Sequence, residues 1–145
     1  MKVYISYFYQ LRFFPADMLP LSTAVWDPKW YSQNGAQFVD KRGVLNGCKF
    51  GYFMPNSTCN GLCRGPKECR ALPNSCEFLK KYRAQLDALD FDKALEDLED
   101  RANRYGKKDV CLMVYEVPDN PCSERVVLKQ WFADHGYELE EWRKG

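Results

Sequence analysis

From Val110 to Tyr115 the chain reads Val-Cys-Leu-Met-Val-Tyr, with no charged or strongly polar position in the run. A strand with one wet face alternates apolar and polar residues, so a short unbroken apolar run marks a strand buried on both faces of a parallel sheet. Residues 3–9 (Val-Tyr-Ile-Ser-Tyr-Phe-Tyr) and 21–26 (Leu-Ser-Thr-Ala-Val-Trp) are β-branched and aromatic, are punctuated by Pro15, Pro20 and Pro28, and read as two further strands. Elsewhere the apolar period changes. Phe78, Leu79, Tyr82, Leu86 and Leu89 recur at helical spacing, the pattern breaks near Asp90, and Phe91, Leu95, Leu98 and Ala102 resume it until Gly106 closes the helix. A last helix is predicted from Ser123 to His135, carrying Val126, Val127, Trp131 and Phe132 and ending at Gly136.

Strands separated by helices predict an α/β fold, a three-layer Rossmann-like arrangement around a mainly parallel sheet. At 145 residues the chain suits a single α/β domain over 1–145. In such sheets ligands bind beyond the carboxyl ends of the strands. That rule directs attention to Tyr7 after the first strand, to Trp26 and Asp27 after the second, and to Glu116 and the turn containing Cys122, Ser123 and Arg125 after the third.

Residues 48–76 do not follow the pattern. Cys59-Asn-Gly-Leu-Cys63-Arg-Gly-Pro-Lys-Glu-Cys69 is followed by Cys76, with Gly61, Gly65, Pro66 and Pro73 between the thiols, which predicts a knuckled insertion rather than a helix or strand. The first residues of the chain have no long apolar core, and no run approaches the about 18 to 20 apolar residues of a membrane span, so a cytoplasmic protein with no membrane contact is expected. Thiols stay reduced in that compartment, and a cluster there reads as metal ligands before disulfides. Four thiolates from Cys59, Cys63, Cys69 and Cys76 around Zn2+ would order a loop with little to bury, since structural zinc supplies about 10 to 16 kcal/mol in small peptides. An iron–sulfur cluster is the alternative, and Cys48 can stand in for any of the four. Cys111, inside the apolar run, reads as a small core residue.

Charge sharpens the contrast between the insertion and the rest. Residues 41–84 hold nine Lys or Arg against two acids, a net of +7, whereas residues 85–145 hold nine against fifteen, a net of −6. A basic segment of this kind gathers phosphates or nucleic acid, or lies against the acidic helices of its own chain. The acidic run from Asp90 to Asp100 is read as a solvated helix face.

The turn after the third strand offers the most chemistry. Pro118 and Pro121 break the strand, a helix starts near Cys122 or Ser123, and Ser123 or Asn120 caps it. Free N–H groups and the helix dipole favour an anion there and lower the pKa of a thiol placed among them, so Cys122 is a candidate nucleophile and Arg125 a candidate clamp. Asp27 and Glu116 are candidate acid–base groups facing each other across the strand ends. His135 is the only imidazole and, beside Gly136, suits a helix C-terminus.

Leu112-Met-Val-Tyr-Glu-Val-Pro-Asp-Asn-Pro-Cys122-Ser-Glu-Arg125, followed by Trp131, resembles the C-terminal signature of the family catalogued as domain of unknown function 488: an apolar strand, Tyr-Glu-Lys-Pro, a short turn, Cys-His-Arg and a helix containing Glu-Trp. At the other end Ile5-Ser-Tyr-Phe8, Arg12, Pro15, Pro20-Leu-Ser22 and Pro28-Lys-Trp-Tyr31 are similar to the family's Ser-Tyr-Phe and Pro-Ile-Ser strands and its Pro-x-Trp-Tyr turn. The resemblance spans roughly residues 1–31 and 109–142. It departs where Cys-His-Arg becomes Cys122-Ser123-Glu124-Arg125, which removes the imidazole beside the thiol. It implies a fold and a site, and no reaction. Two functions are therefore expected: binding or processing of an anionic, nucleotide-like small molecule at the strand ends, or a metal-stabilised module whose basic segment contacts nucleic acid or a protein partner without catalysis.

Overall fold

The computed structural model describes residues 1–31, 39–40, 43–44, 46–59, 76–119 and 123–144. Seven strands and three α-helices occur among them: β1 (Val3–Tyr7), β2 (Met18–Ser22), β3 (Val39–Asp40), β4 (Gly43–Val44), β5 (Cys48–Lys49), α1 (Glu77–Asp87), α2 (Phe91–Arg104), β6 (Asp109–Val114), α3 (Glu124–Asp134) and β7 (Glu140–Glu141). Five of the strands form one sheet in the order β5-β2-β6-β1-β7, all of them parallel; β3 and β4 form a separate antiparallel pair. This is the expected α/β, Rossmann-like architecture.

β6 is central, and Val110 to Val114 are all fully buried. Its register sets Val3, Ile5 and Tyr7 of β1 beside Val110, Leu112 and Val114, and Leu19 and Leu21 of β2 beside Val110 and Leu112. These residues face the three helices, which contribute Tyr82, Leu86, Phe91, Leu98, Leu128, Trp131 and Phe132 to one core. Each such side chain contributes about 1.5 to 3 kcal/mol by leaving water. Cys111 and Met113 point the other way, into a second cluster with Phe8, Leu11, Phe14, Met18 and Tyr31. The third layer is thus a 3-10 helix (Phe8–Phe13) and aromatic chain rather than α-helices.

The second strand begins and ends earlier than its composition suggests, at Met18–Ser22 instead of 21–26. Pro20 thus lies inside the strand, where proline removes a ladder donor. Thr23 donates to Met113 O on the β6 side while Ser22 O accepts from Phe50 on the β5 side, so alternation turns Pro20 toward β5. β5 pairs only with Leu21 and Ser22, and the missing donor is not needed there. Gly47 lies against Pro20 so closely that any Cβ would meet its carbonyl oxygen and ring, which makes glycine obligatory at that approach.

Helix ends follow the chain's own signals. Asp90 caps α2 by accepting from Lys93 N at 3.2 Å, and Gly106 (φ 66°) and Gly136 (φ 78°) follow α2 and α3 in the left-handed conformation. The helical break expected near Asp90 is where α1 gives way to α2. The start of the expected insertion is instead part of the core: Cys48 is a sheet residue, and Phe50, Phe53 and Cys59 are buried. Residues 60–75 lie outside the described residues. Among the described residues no helix is long and apolar enough to cross a membrane.

Candidate functional site

Because the strands are parallel, their carboxyl ends share one edge, and two polar groups form along it. The first gathers at β2 and β5. Ser22, fully buried, donates its hydroxyl to Asp27 Oδ1. Lys49 Nζ stands 3.5 Å from the same carboxylate oxygen and donates to Val25 O at 3.3 Å. Around this group the side chains are aromatic. Tyr31 donates to Cys48 O at 2.5 Å, and its hydroxyl is pushed far up by burial and by the charges of Asp27 and Cys48. Tyr115, the first residue after β6, packs on Phe8 with ring centroids 5.2 Å apart, and partial burial and then Asp27 raise its hydroxyl as well. Trp26 is 80% exposed and makes no ring contact with any described residue. An indole standing free in water beside a strand end has no structural duty that burial explains.

The second group gathers where β6, β1 and β7 meet the first turn of α3. Ser123 caps the helix, accepting from Arg125 N at 3.1 Å. Arg125 is 2% exposed: Nη1 donates to Glu116 O at 2.6 Å, Nε stands 2.7 Å from Glu141 Oε1, and the guanidinium lies 6.0 Å from the centre of the Tyr7 ring. Lys129 approaches Glu141 at 3.6 Å. Glu124 is 7% exposed and meets Glu116 side chain to side chain. Burial, and then the neighbouring Glu116, push its carboxyl up to about 8, with Arg125 pulling weakly the other way. At neutral pH Glu124 is therefore an acid with a proton to give, beside a second carboxylate. Arg125 Nε and Glu141 Oε1 form an ion pair without hydrogen-bond geometry, and they, Glu116 Oε2, Arg125 Nη2, Glu141 Oε2 and Trp131 Nε1 are buried without a hydrogen-bond partner among the described residues.

Tyr7, Glu116, Ser123 and Arg125 are brought together as the sequence suggested, but in different roles. Arg125 is not a free clamp, because two of its nitrogens are committed to Glu141 and Glu116 O. Asp27 is held by Ser22 and Lys49, and the carboxyl that Glu116 meets is Glu124. Glu124 and Glu141 were missed because first-turn and C-terminal acids are ordinarily solvated. One signal existed for Glu141: in an extended chain it shares a side with Leu139 and Tyr137, which pack into the core. Cys122 lies outside the described residues. The thiols of Cys48 and Cys111 are raised by burial, which makes both poor nucleophiles and suits core residues. His135, at the end of α3, stacks on Phe91 at 4.5 Å, a packing role.

Of the four expected zinc ligands, Cys63 and Cys69 lie outside the described residues. Cys59 is buried with its sulfur 3.9 Å from Gln85 Oε1, near the end of α1, while Cys76 occupies the position before its first turn. No group of three or more metal-ligating side chains occurs among the described residues. The chain matches no family profile, no curated protein and no solved structure.

Proposed function

We propose that the protein binds a small planar, nucleotide-like molecule at the carboxyl ends of its strands. Trp26 supplies a stacking face, and Lys49, steadied by Asp27, meets a single anionic group on the ligand. The observation that carries this reading is the free, 80% exposed indole of Trp26 beside the Ser22–Asp27–Lys49 group, on the edge where parallel α/β sheets take their ligands. Stacking of a heterocycle on an aromatic side chain is worth about 1 to 3 kcal/mol, and an exposed tryptophan loses nothing in stability by offering it. The charges limit where an anion fits. On the α3 side three glutamates, Glu116, Glu124 and Glu141, outnumber the cations Arg125 and Lys129, whereas Lys49 faces the one carboxylate of Asp27, so a phosphate is better accepted at Lys49 than at α3.

The test is calorimetric titration with adenosine, guanosine and their monophosphates. Saturable binding that weakens about tenfold in Trp26→Ala, and for the monophosphates alone in Lys49→Met, supports the reading. Absence of saturable binding by all four, or identical affinity in Trp26→Ala, refutes it.

A further inference from the structure

Among the described residues four Phe, Tyr or Trp side chains are exposed: Tyr9, Trp26, Tyr52 and Tyr115. None of them lies on an α-helix or at the amino edge of the sheet. Each follows the carboxyl end of a strand by one to four residues, Tyr52 after β5, Trp26 after β2, Tyr115 after β6 and Tyr9 after β1, and those four strands are neighbours in that order. A folded domain buries large rings where it can, so a row of them left open along one edge marks a surface that something covers.

Charge divides the row. Tyr52 borders a cavity of about 120 Å³ with Asp90, Lys93 and Asp97 of α2, where the net charge is negative. The other three rings stand between cations. Lys49 ends β5, and beyond β1 Arg12 lies 4.5 Å from the centre of the Tyr9 ring, while Lys144 lies 4.4 Å from that of Phe13, which packs on Tyr9 at 6.0 Å. Arg12 and Lys144 have no carboxylate partner among the described residues, whereas Asp27 and Glu141 on the same edge are engaged by Lys49 and Arg125. Neighbouring strands lie about 4.8 Å apart, so β5 and β1 are separated by about 14 Å. The lone phosphate of a mononucleotide meets one end of such a row and leaves the other empty.

We infer that this edge is a track for a single-stranded oligonucleotide, with bases stacking on Trp26, Tyr115 and Tyr9 and backbone phosphates meeting Lys49 at one end and Arg12 and Lys144 at the other. The inference rests on the reading of Trp26 and Lys49 as a nucleotide site and lengthens it. Rings carried on adjacent strands stand wider apart than the about 3.4 Å between stacked bases, so each ring takes its own base and the bound strand is unstacked. A duplex, whose bases are already stacked and paired, is excluded. Stacking uses the face that every base has, so preference for sequence is small.

The test is fluorescence anisotropy of the intact chain with labelled oligoadenylates of one to four nucleotides, in ribose and deoxyribose forms. Affinity should rise at least about tenfold from the monophosphate to the tetranucleotide, fall when the tetranucleotide is paired with its complement, and fall steeply between about 50 and 200 mM salt. The tighter of the two tetranucleotides identifies the sugar. Tyr9→Ala, and Arg12→Met combined with Lys144→Met, are surface changes that should each weaken the tetranucleotide about tenfold with the circular dichroism spectrum unchanged. Equal affinity for monophosphate and tetranucleotide overturns the track and leaves the mononucleotide site standing; absence of saturable binding at every length refutes both. Tetranucleotide binding indifferent to both variants overturns the track, and so does equally tight binding of an oligoglutamate of the same charge, which would assign the surface to an acidic protein.

Discussion

The two polar groups on the strand edge solve opposite electrostatic problems. At β2 and β5 a carboxylate, Asp27, is matched by an ammonium and a hydroxyl. At α3 three glutamates crowd one buried guanidinium. Glu141 takes its charge, and burial and then the neighbouring Glu116 push the carboxyl of Glu124 up. Matched charges hold a loop in place. Surplus like charge in a dry place stores chemistry, because it moves a carboxyl pKa into the range where it can act near neutrality.

Breaking the second group should cost the most. Arg125→Met leaves Glu141, beside Glu116 and Glu124, with only the longer approach of half-exposed Lys129, and removing one partner of a buried pair costs about 3 to 5 kcal/mol. A thermal midpoint unchanged within 2 °C would mean that the guanidinium compensates nothing. Glu124→Gln comes next and sharpens the contrast through pH. The folded pKa of Glu124 lies above that of the unfolded chain, so its contribution is fully present below about pH 4.5 and is lost as pH rises toward about 8. The wild type should therefore lose stability relative to Glu124→Gln between those values, by up to about 4 kcal/mol in urea titrations. Parallel pH profiles for the two proteins would show that no shifted carboxyl exists. At the first group Asp27→Asn keeps the partner for Ser22 and loses only the attraction of Lys49. It should cost about 1 kcal/mol in the same titrations, and a loss as large as that of Arg125→Met would erase the distinction between the groups. Smallest of all, Trp26→Ala should change stability by less than about 0.5 kcal/mol, because an 80% exposed indole has little packing to lose.

Much of this was legible without coordinates. The apolar run at 110–115 and the two helical periods were enough for a parallel α/β sheet, since each pattern records which faces a segment must bury. Gly106, Gly136 and Asp90 marked the helix ends through backbone chemistry that is local to each residue. The rule that ligands gather at strand ends led to Tyr7, Trp26, Asp27, Glu116, Ser123 and Arg125 before any was placed in space. The second strand was displaced by three residues because the side to which Pro20 turns depends on its neighbour strands. Likewise Cys48 and Cys59, thiols in a motif by spacing, are found buried in the core.

What the sequence determined by itself is therefore the three long strands, the three α-helices and the edge on which chemistry sits, because periodicity, capping and turn residues act within a few positions of one another, whereas the two-residue strands β3, β4, β5 and β7 carry no such pattern. Only the tertiary structure decided which acids are partners. Glu116, Glu124 and Glu141 lie on three different elements, and the pKa of each depends on water excluded and charges brought close by the fold. No pattern along the chain encodes that distance. The pairing of Glu116 with Glu124, and the engagement of Arg125 by Glu141, exist only once β7 and α3 have closed over the ends of β1 and β6.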